Sequence, residues 1–271
     1  MNTEGARLYL FSSGACETKQ HLFTLHQGLD EDVTIPLPFF LIAHPRGNVL
    51  VDGGAPLAVA RDPYHWARVN GVAPPAGEKP IYWPLMSEAD FCVNQVRALA
   101  VEPETVRYVI QTHLHADHVG AIAHFPNARY LVQRREFQYA CRPDWFYSLH
   151  YKREDFDKDV EWEFLGPGED GLDLYGDGVI RLLYTPGHTP GHTSVVVALP
   201  DDGTVVLAGD ACIGHPHYEN RALPGKFVHA GDVVASVAKI RRVIERTDGT
   251  LVPGHDMAVW KELRHAPRFY A

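Results

Sequence analysis

Chemistry is concentrated in one short stretch of this chain, Thr112-His113-Leu114-His115-Ala116-Asp117-His118-Val119-Gly120. His113, His115, Asp117 and His118 are four potential metal ligands lying directly after a predicted strand, Val106–Thr112. In an extended segment the side chains at i and i+2 point the same way, so His113 and His115 can approach one cation together. Asp117 and His118 follow where the chain must turn, within reach of a neighbouring position. Imidazole and carboxylate are ligands for borderline divalent metals such as zinc. A lone histidine is ordinarily a packed or surface residue, whereas H-x-H-x-D-H spacing is a metal-binding pattern.

Three later segments carry matching candidates: His188 in Thr185-Pro186-Gly187-His188, Asp210 in Ala208-Gly209-Asp210, and His255 in Pro253-Gly254-His255. Each lies just past a predicted strand, the edge where α/β sheets build their sites. Pro-Gly-His alone is ordinary turn chemistry, but three such segments beside the histidine cluster form a consistent set. No Ser-His-Asp arrangement or G-x-S-x-G elbow competes for the chemistry. Cys212 stands two residues past Asp210, with nothing nearby in sequence to activate it, and reads as a packed thiol.

The elements that must position these residues follow from periodicity and punctuation. Arg7–Ser12, His21–Leu25, Val33–His44 and Gly47–Asp52 read as strands, the last two joined by a hairpin at Pro45-Arg46-Gly47. Ala55–Pro84 reads as loop. Ser87 with Asp90 three residues on marks a helix start, and Cys92, Val96 and Leu99 continue it at helical spacing. Arg129–Val132 reads as strand and Arg134–Cys141 as helix, with Asp144–Glu163 an irregular insertion or cap. Strands follow at Ile180–Tyr184, Ser194–Leu199 and Thr204–Gly209, with a turn at Asp201-Asp202-Gly203. Asp232–Arg246 is an amphipathic helix lined by Val233, Val237, Ile240 and Ile244, and Thr250–Pro253 is a last strand. Strands before helices, twice, suggest two sheet-plus-helix halves packed face to face, an α/β sandwich in a single domain over residues 1–271.

Composition bounds the remaining possibilities. The chain has 271 residues, 45% hydrophobic and 22% charged, which fits a soluble globular protein and excludes disordered and collagenous classes. Its net charge of −9 offers no general footprint for nucleic acid or an anionic membrane. Four scattered cysteines without a C-x-x-C pair argue against a thiolate zinc site and for a reducing compartment. The N-terminal apolar run, Leu8-Tyr9-Leu10-Phe11, is too short for a secretory signal. The expected location is cytoplasmic.

The ordered set H-x-H-x-D-H, then His, Asp and His, resembles the metallo-β-lactamase superfamily, from Leu50-Val51-Asp52-Gly53-Gly54 to the C-terminus. The resemblance implies a four-layer αββα sandwich and two metal ions per chain, most simply zinc, with cobalt or manganese able to substitute. It implies that His113, His115 and His188 hold the first ion, that Asp117, His118 and His255 hold the second, and that Asp210 bridges them. His192 matches a position that is not a ligand, and Asp52 an acidic position able to support one. A two-metal centre lowers the pKa of a shared water and polarises a carbonyl, which makes the expected activity hydrolysis, with Asp117 or Asp210 moving the proton.

Within the superfamily, Thr185-Pro-Gly-His-Thr-Pro-Gly-His192, Gly254-His255-Asp256 and the tail from Trp260 to Tyr270 resemble the N-acyl-homoserine lactone lactonases, the quorum-quenching branch. The implied reaction opens the lactone by hydroxide attack on the ester carbonyl. The alternative is a related hydrolase acting on another lactone, a thioester or a phosphotriester. The implied partner is a small-molecule lactone, with no nucleic acid and no membrane, and the chain a monomer or homodimer. Pro36–Phe40, Tyr82-Trp83 and Trp145-Phe146-Tyr147 are candidates to line an acyl pocket, and Ala116 would leave it roomy if it faces inward. One departure stands out. Lactonases of this branch commonly carry a tyrosine three residues after the bridging Asp, to contact the substrate carbonyl, and here that residue is Ile213. Tyr218 and His217, on the same predicted loop, are the candidates to take over that contact, Tyr218 in a catalytic role.

Overall fold

Alternation of buried side chains along the strands decides the architecture. The computed structural model describes residues 5–72, 74–75, 77–166 and 170–271. In β1 (Arg7–Lys19), Leu8 and Leu10 face one apolar cluster while Tyr9 and Phe11 face another. In β2 (Asp32–Ala43), Phe40 and Ile42 join the first cluster while Phe39 and Leu41 join the second. A sheet buried on both faces must be covered on both. β3 (Asn48–Val51), β4 (Trp83–Leu85), β5 (Val106–Ile110), β6 (Arg129–Gln133) and β7 (Trp162–Leu165) complete this sheet, in the order β4-β1-β2-β3-β5-β6-β7.

The second sheet holds β8 (Leu172–Asp173), β9 (Ile180–Tyr184), β10 (Thr193–Leu199), β11 (Gly203–Gly209) and β12 (Thr250–Pro253), in the order β12-β11-β10-β9-β8. Val195, Val197, Val205 and Leu207 meet the first sheet, and Val196, Val206 and Ala208 face away from it. The helices are α1 (Leu57–Arg61), α2 (His65–Val69), α3 (Cys92–Ala98), α4 (Arg134–Cys141), α5 (Arg153–Phe156), α6 (His215–Tyr218), α7 (Ala230–Thr247) and α8 (Met257–Glu262). α7 covers the outer face of the second sheet with Val233, Val237 and Ile240, each contributing about 1.5–3 kcal/mol by burial. α3 packs Val93 and Val96 into the cluster on the outer face of the first sheet. The result is the expected αββα arrangement. Among the described residues no helix is long and apolar enough to cross a membrane.

Three expectations need correction. His21–Leu25 is a short 3-10 turn, Gln20–Leu22, followed by hydrogen-bonded turns, because the chain reverses between β1 and β2. Ala55–Pro84 holds α1, α2 and β4, the last paired antiparallel to the end of β1; positions 73 and 76 of that stretch lie outside the described residues. Asp144–Glu163 contains α5 and the start of β7, and its Tyr147, Tyr151 and Phe156 are core residues.

Strand direction then places the site. β3 and β5 are parallel neighbours; β9 and β11 are each antiparallel to β10, and β12 is parallel to β11. β3, β5, β9, β11 and β12 are each followed directly by an expected site residue or its loop. β2 runs antiparallel to β3, so its first half, with Ile35 to Leu37, reaches the same end.

Candidate metal centre and active-site cavity

Ligand-type atoms of His113, His115, His188 and Asp210 lie within 4.8 Å of one another, and so do those of Asp117, His118 and His255. Asp210 stands between the two groups. Its Oδ2 is 3.2 Å from His188 Nε2 and 4.0 Å from His113 Nε2, while Oδ1 is 3.2 Å from His255 Nε2 and 3.5 Å from His118 Nε2. One carboxylate oxygen therefore serves each group. Asp117 closes the second, 3.7 Å from His255 Nε2 and 3.9 Å from His118 Nε2.

Each of four imidazoles is oriented through its other nitrogen. His118 Nδ1 donates to Asp52 Oδ2 at 2.8 Å, His255 Nδ1 to the Pro36 carbonyl at 2.8 Å, and His188 Nδ1 to the Lys226 carbonyl at 3.2 Å. Thr112 Oγ1 donates to Asp52 Oδ2 and accepts from His113 Nδ1 at 3.0 Å. In all four, Nδ1 is the nitrogen turned to the fold and Nε2 faces the cluster, so that the neutral imidazole would present the Nε2 lone pair that metal ligation requires. His115 Nδ1 is 3.1 Å from His188 Nε2, two nitrogens brought together that a shared cation would stabilise. His113 Nε2, His118 Nε2 and Asp210 Oδ1 are buried with no hydrogen-bond partner. Orphaned buried acceptors converging on one point fit a bound cation.

Electrostatics divide the two groups. Burial holds His113, His115 and His188 below the ordinary imidazole range, keeping them neutral. Burial would also lower His118, but Asp117, Asp210 and Asp52 outweigh it and lift that imidazole to about 10. His255 is raised against its burial by Asp210 and Asp117. Burial favours a protonated Asp210, yet His255, His188 and His118 hold its carboxyl well below the usual range. The second group is thus the half whose imidazoles have more carboxylates around them.

The comparisons fit this geometry. Residues 38–255 match the metallo-beta-lactamase superfamily. The chain belongs to the metallo-beta-lactamase superfamily. It is 45% identical over 268 residues to the N-acyl homoserine lactonase AttM of Rhizobium radiobacter, covering 98% of both chains. It is 26% identical over 271 residues to the N-acyl homoserine lactonase AiiA of Bacillus thuringiensis subsp. kurstaki, covering 97% of this chain and 98% of that one. A solved N-acyl homoserine lactone hydrolase with N-hexanoyl-L-homoserine at its catalytic metal centre superposes with a TM-score of 0.84 at 24% identity, over 97% of this chain and 98% of that one.

In this member of the superfamily, local backbone demands explain several residues around the ligands. A Cβ at Gly254 would stand 2.7 Å from Asp210 Oδ1, so only glycine lets His255 and Asp210 approach. His192 Nε2 accepts from the Asp210 backbone N–H at 2.9 Å, and its Nδ1 donates to Thr185 Oγ1 at 2.9 Å. The structure thus places His192 behind Asp210 rather than among the facing atoms. Asp52 also accepts from the Thr112 backbone N–H at 2.8 Å, fixing the start of the histidine loop. Glu136 escapes sequence reasoning. Buried on α4, it accepts from Leu114 N, Gly191 N and Tyr151 Oη, tying the histidine loop to the loop after β9. A glutamate in a helix's first turn carries no signal of that role.

The cluster opens into a cavity of about 510 Å³ whose wall is mostly apolar. Ile35, Leu37, Trp66, Tyr82, Ala116 and Ile213 line it beside His115, Asp117, His188, Asp210 and His255. Of the expected acyl-pocket aromatics only Tyr82 takes part. Phe39 and Phe40 are core residues, Tyr147 packs against His115, and Trp145 is 85% exposed. Trp66, Lys226 and His150 were missed because α2, the segment before α7 and the stretch before α5 carry no motif.

Tyr218 is not brought to the site. Its segment is the short helix α6 rather than a loop, and its ring packs in the α7 cluster with the Arg241 guanidinium 5.2 Å from its centroid. His217 is buried with Nδ1 accepting from Gly214 N, and it does not line the cavity. Burial pushes the Cys212 thiol up to about 12, which removes it as a nucleophile.

Proposed function

We propose that this chain is a metal-dependent lactonase that opens N-acyl homoserine lactones at the ester bond. The near-full-length likeness to curated N-acyl homoserine lactonases carries this reading. The facing histidine and aspartate groups support it. His113, His115 and His188 would hold one ion and Asp117, His118 and His255 the other, with Asp210 giving one oxygen to each; zinc suits this donor set, and cobalt or manganese could replace it. Bound ions would supply a hydroxide nucleophile at neutral pH and withdraw charge from the ester carbonyl oxygen.

The chain's own residues do the rest. The apolar wall seats the acyl chain and excludes water. Asp210, held anionic by the surrounding imidazoles, keeps its bridging position. Asp117 has 28% of its side chain exposed toward the cavity, against 6% for Asp210, so Asp117 is the carboxylate that can take up a proton and pass it to the leaving alkoxide.

Incubation of the zinc-loaded protein with N-hexanoyl-homoserine lactone tests the reading by mass spectrometry. The expected product gains one water and retains the acyl chain. Release of free hexanoate would make the protein an acylase, and turnover only of thioesters or phosphotriesters would move it elsewhere in the superfamily. Elemental analysis should find two ions per chain, and a clear value of one would leave the Asp117, His118 and His255 group without its ion.

A further inference from the structure

We propose that Lys226 binds the amide carbonyl of the substrate and so selects acylated amino-lactones over plain lactones. The inference deepens the lactonase reading and rests on it. Lys226 is tied to the site at one end, where its carbonyl accepts from His188 Nδ1 at 3.2 Å. Its side chain lines the cavity and lays its ammonium 4.1 Å from the ring centroid of Tyr82, in a wall shared with Cys16, Ile35 and Leu37.

This amine is unusually placed: burial lowers its pKa to about 7, so near neutral pH it is present both as ammonium and as neutral amine, each with N–H donors. Lysine is seldom drawn into apolar surroundings without a partner. Among the described residues no carboxylate lies within 4.0 Å of Nζ and Nζ makes no hydrogen bond, and the face of Tyr82 is its close aromatic contact. A cation–π contact satisfies the charge in part and none of the three N–H donors. The other two lysines of this cavity are committed: Lys152 Nζ donates to Asn70 Oδ1 and to the Leu149 carbonyl, and Lys79 Nζ donates to Glu17 Oε2 at 2.7 Å. Lys226 therefore offers free donors to whatever fills the cavity.

The ligand atom they fit is a neutral carbonyl oxygen outward of the reacting ester. In an N-acyl homoserine lactone the amide carbonyl carbon is three bonds from the ester carbonyl carbon, roughly 4 Å away. With the ester at the histidine and aspartate cluster, that amide must lie along the wall beside it. Ile213, also on the wall, has no donor to give. A plain alkyl lactone has no oxygen there, so a free ammonium contributes only to the acylated amine.

The test compares N-hexanoyl-homoserine lactone with γ-decalactone, which lacks the amide, on zinc-loaded wild type, Lys226→Met, Lys226→Arg and His150→Ala. In Lys226→Met the ratio of kcat/KM values, acylated over plain, should fall by about 10- to 100-fold, the effect of one lost hydrogen bond from a charged donor. The change should appear mostly in KM. Calorimetric binding of ring-opened N-hexanoyl-homoserine should weaken by a similar factor with zinc content unchanged, and Lys226→Arg should recover part of the ratio. An unchanged ratio in Lys226→Met overturns the proposal. An equal loss on both lactones makes Lys226 a support for His188, and a ratio shift confined to His150→Ala moves the role to that imidazole. Wild type that opens γ-decalactone alone refutes the amide contact. Wild type that opens neither lactone removes the lactonase reading itself, and the proposal with it.

Discussion

Replacing Asp52 by Asn should weaken one half of the metal centre selectively. Asp52 is 2% exposed and makes three short contacts: Oδ1 accepts from Thr112 N at 2.8 Å, and Oδ2 accepts from Thr112 Oγ1 at 2.7 Å and His118 Nδ1 at 2.8 Å. Asn keeps the first but sets an NH2 group where Oδ2 stood, opposite two donors. Two charge-assisted hydrogen bonds, each worth about 1.5–3 kcal/mol, are lost. His118 can restore one by presenting an unprotonated Nδ1 to the amide, which moves its proton to Nε2, the atom that faces Asp117 and Asp210. A protonated Nε2 cannot ligate. Loss of such an orienting group costs about 10- to 100-fold in metal affinity, or ~1.4–2.7 kcal/mol. Dialysis of the zinc-loaded protein against graded chelator, with zinc counted at each step, measures this directly. The second equivalent should leave at 10- to 100-fold weaker chelation than in wild type, with the first retained. Wild-type retention of both equivalents would show that Asp52 does not orient His118, and simultaneous loss of both would show that the two groups are not separable.

Asp210→Asn should lower kcat/KM by about 100- to 1000-fold, since the residue faces four imidazoles and its charge anchors both groups; steady-state kinetics at matched zinc content checks this. Tyr218→Phe should leave kinetics near wild type, because the phenol packs beside α7 away from the cavity; a tenfold loss would contradict that placement. Asp155 gives a pH signature. Burial raises its carboxyl to about 6, so its protonated form is favoured in the fold, and its contribution to stability is present below about pH 4 and lost as pH rises through 6. Asp155→Asn should accordingly gain on the order of 2 kcal/mol at pH 7.5 and nothing at pH 3.5, read by denaturant titration.

Local pattern settled the parts of this protein whose physics is local. The seven residues that the structure brings together were legible because histidine and aspartate recur just past strand ends, and an extended backbone puts His113 and His115 on one side. The helices Arg134–Cys141 and Ala230–Thr247 and most strands were legible because their apolar period matches the surface they bury. Only the tertiary structure decided what depends on distant segments meeting. It brought Asp52 under His118 across 66 residues, set Pro36 behind His255 across 219, and sent Tyr218 into the α7 cluster while Lys226 came to the cavity. It also turned Phe39 and Phe40 into core and made Leu37, on the same strand, a cavity wall. Sequence spacing fixes which face of an element a side chain takes. Which neighbour covers that face is a property of the packed sheets, and the cavity forms between the strand-end cluster and the segments around Trp66, Tyr82 and His150.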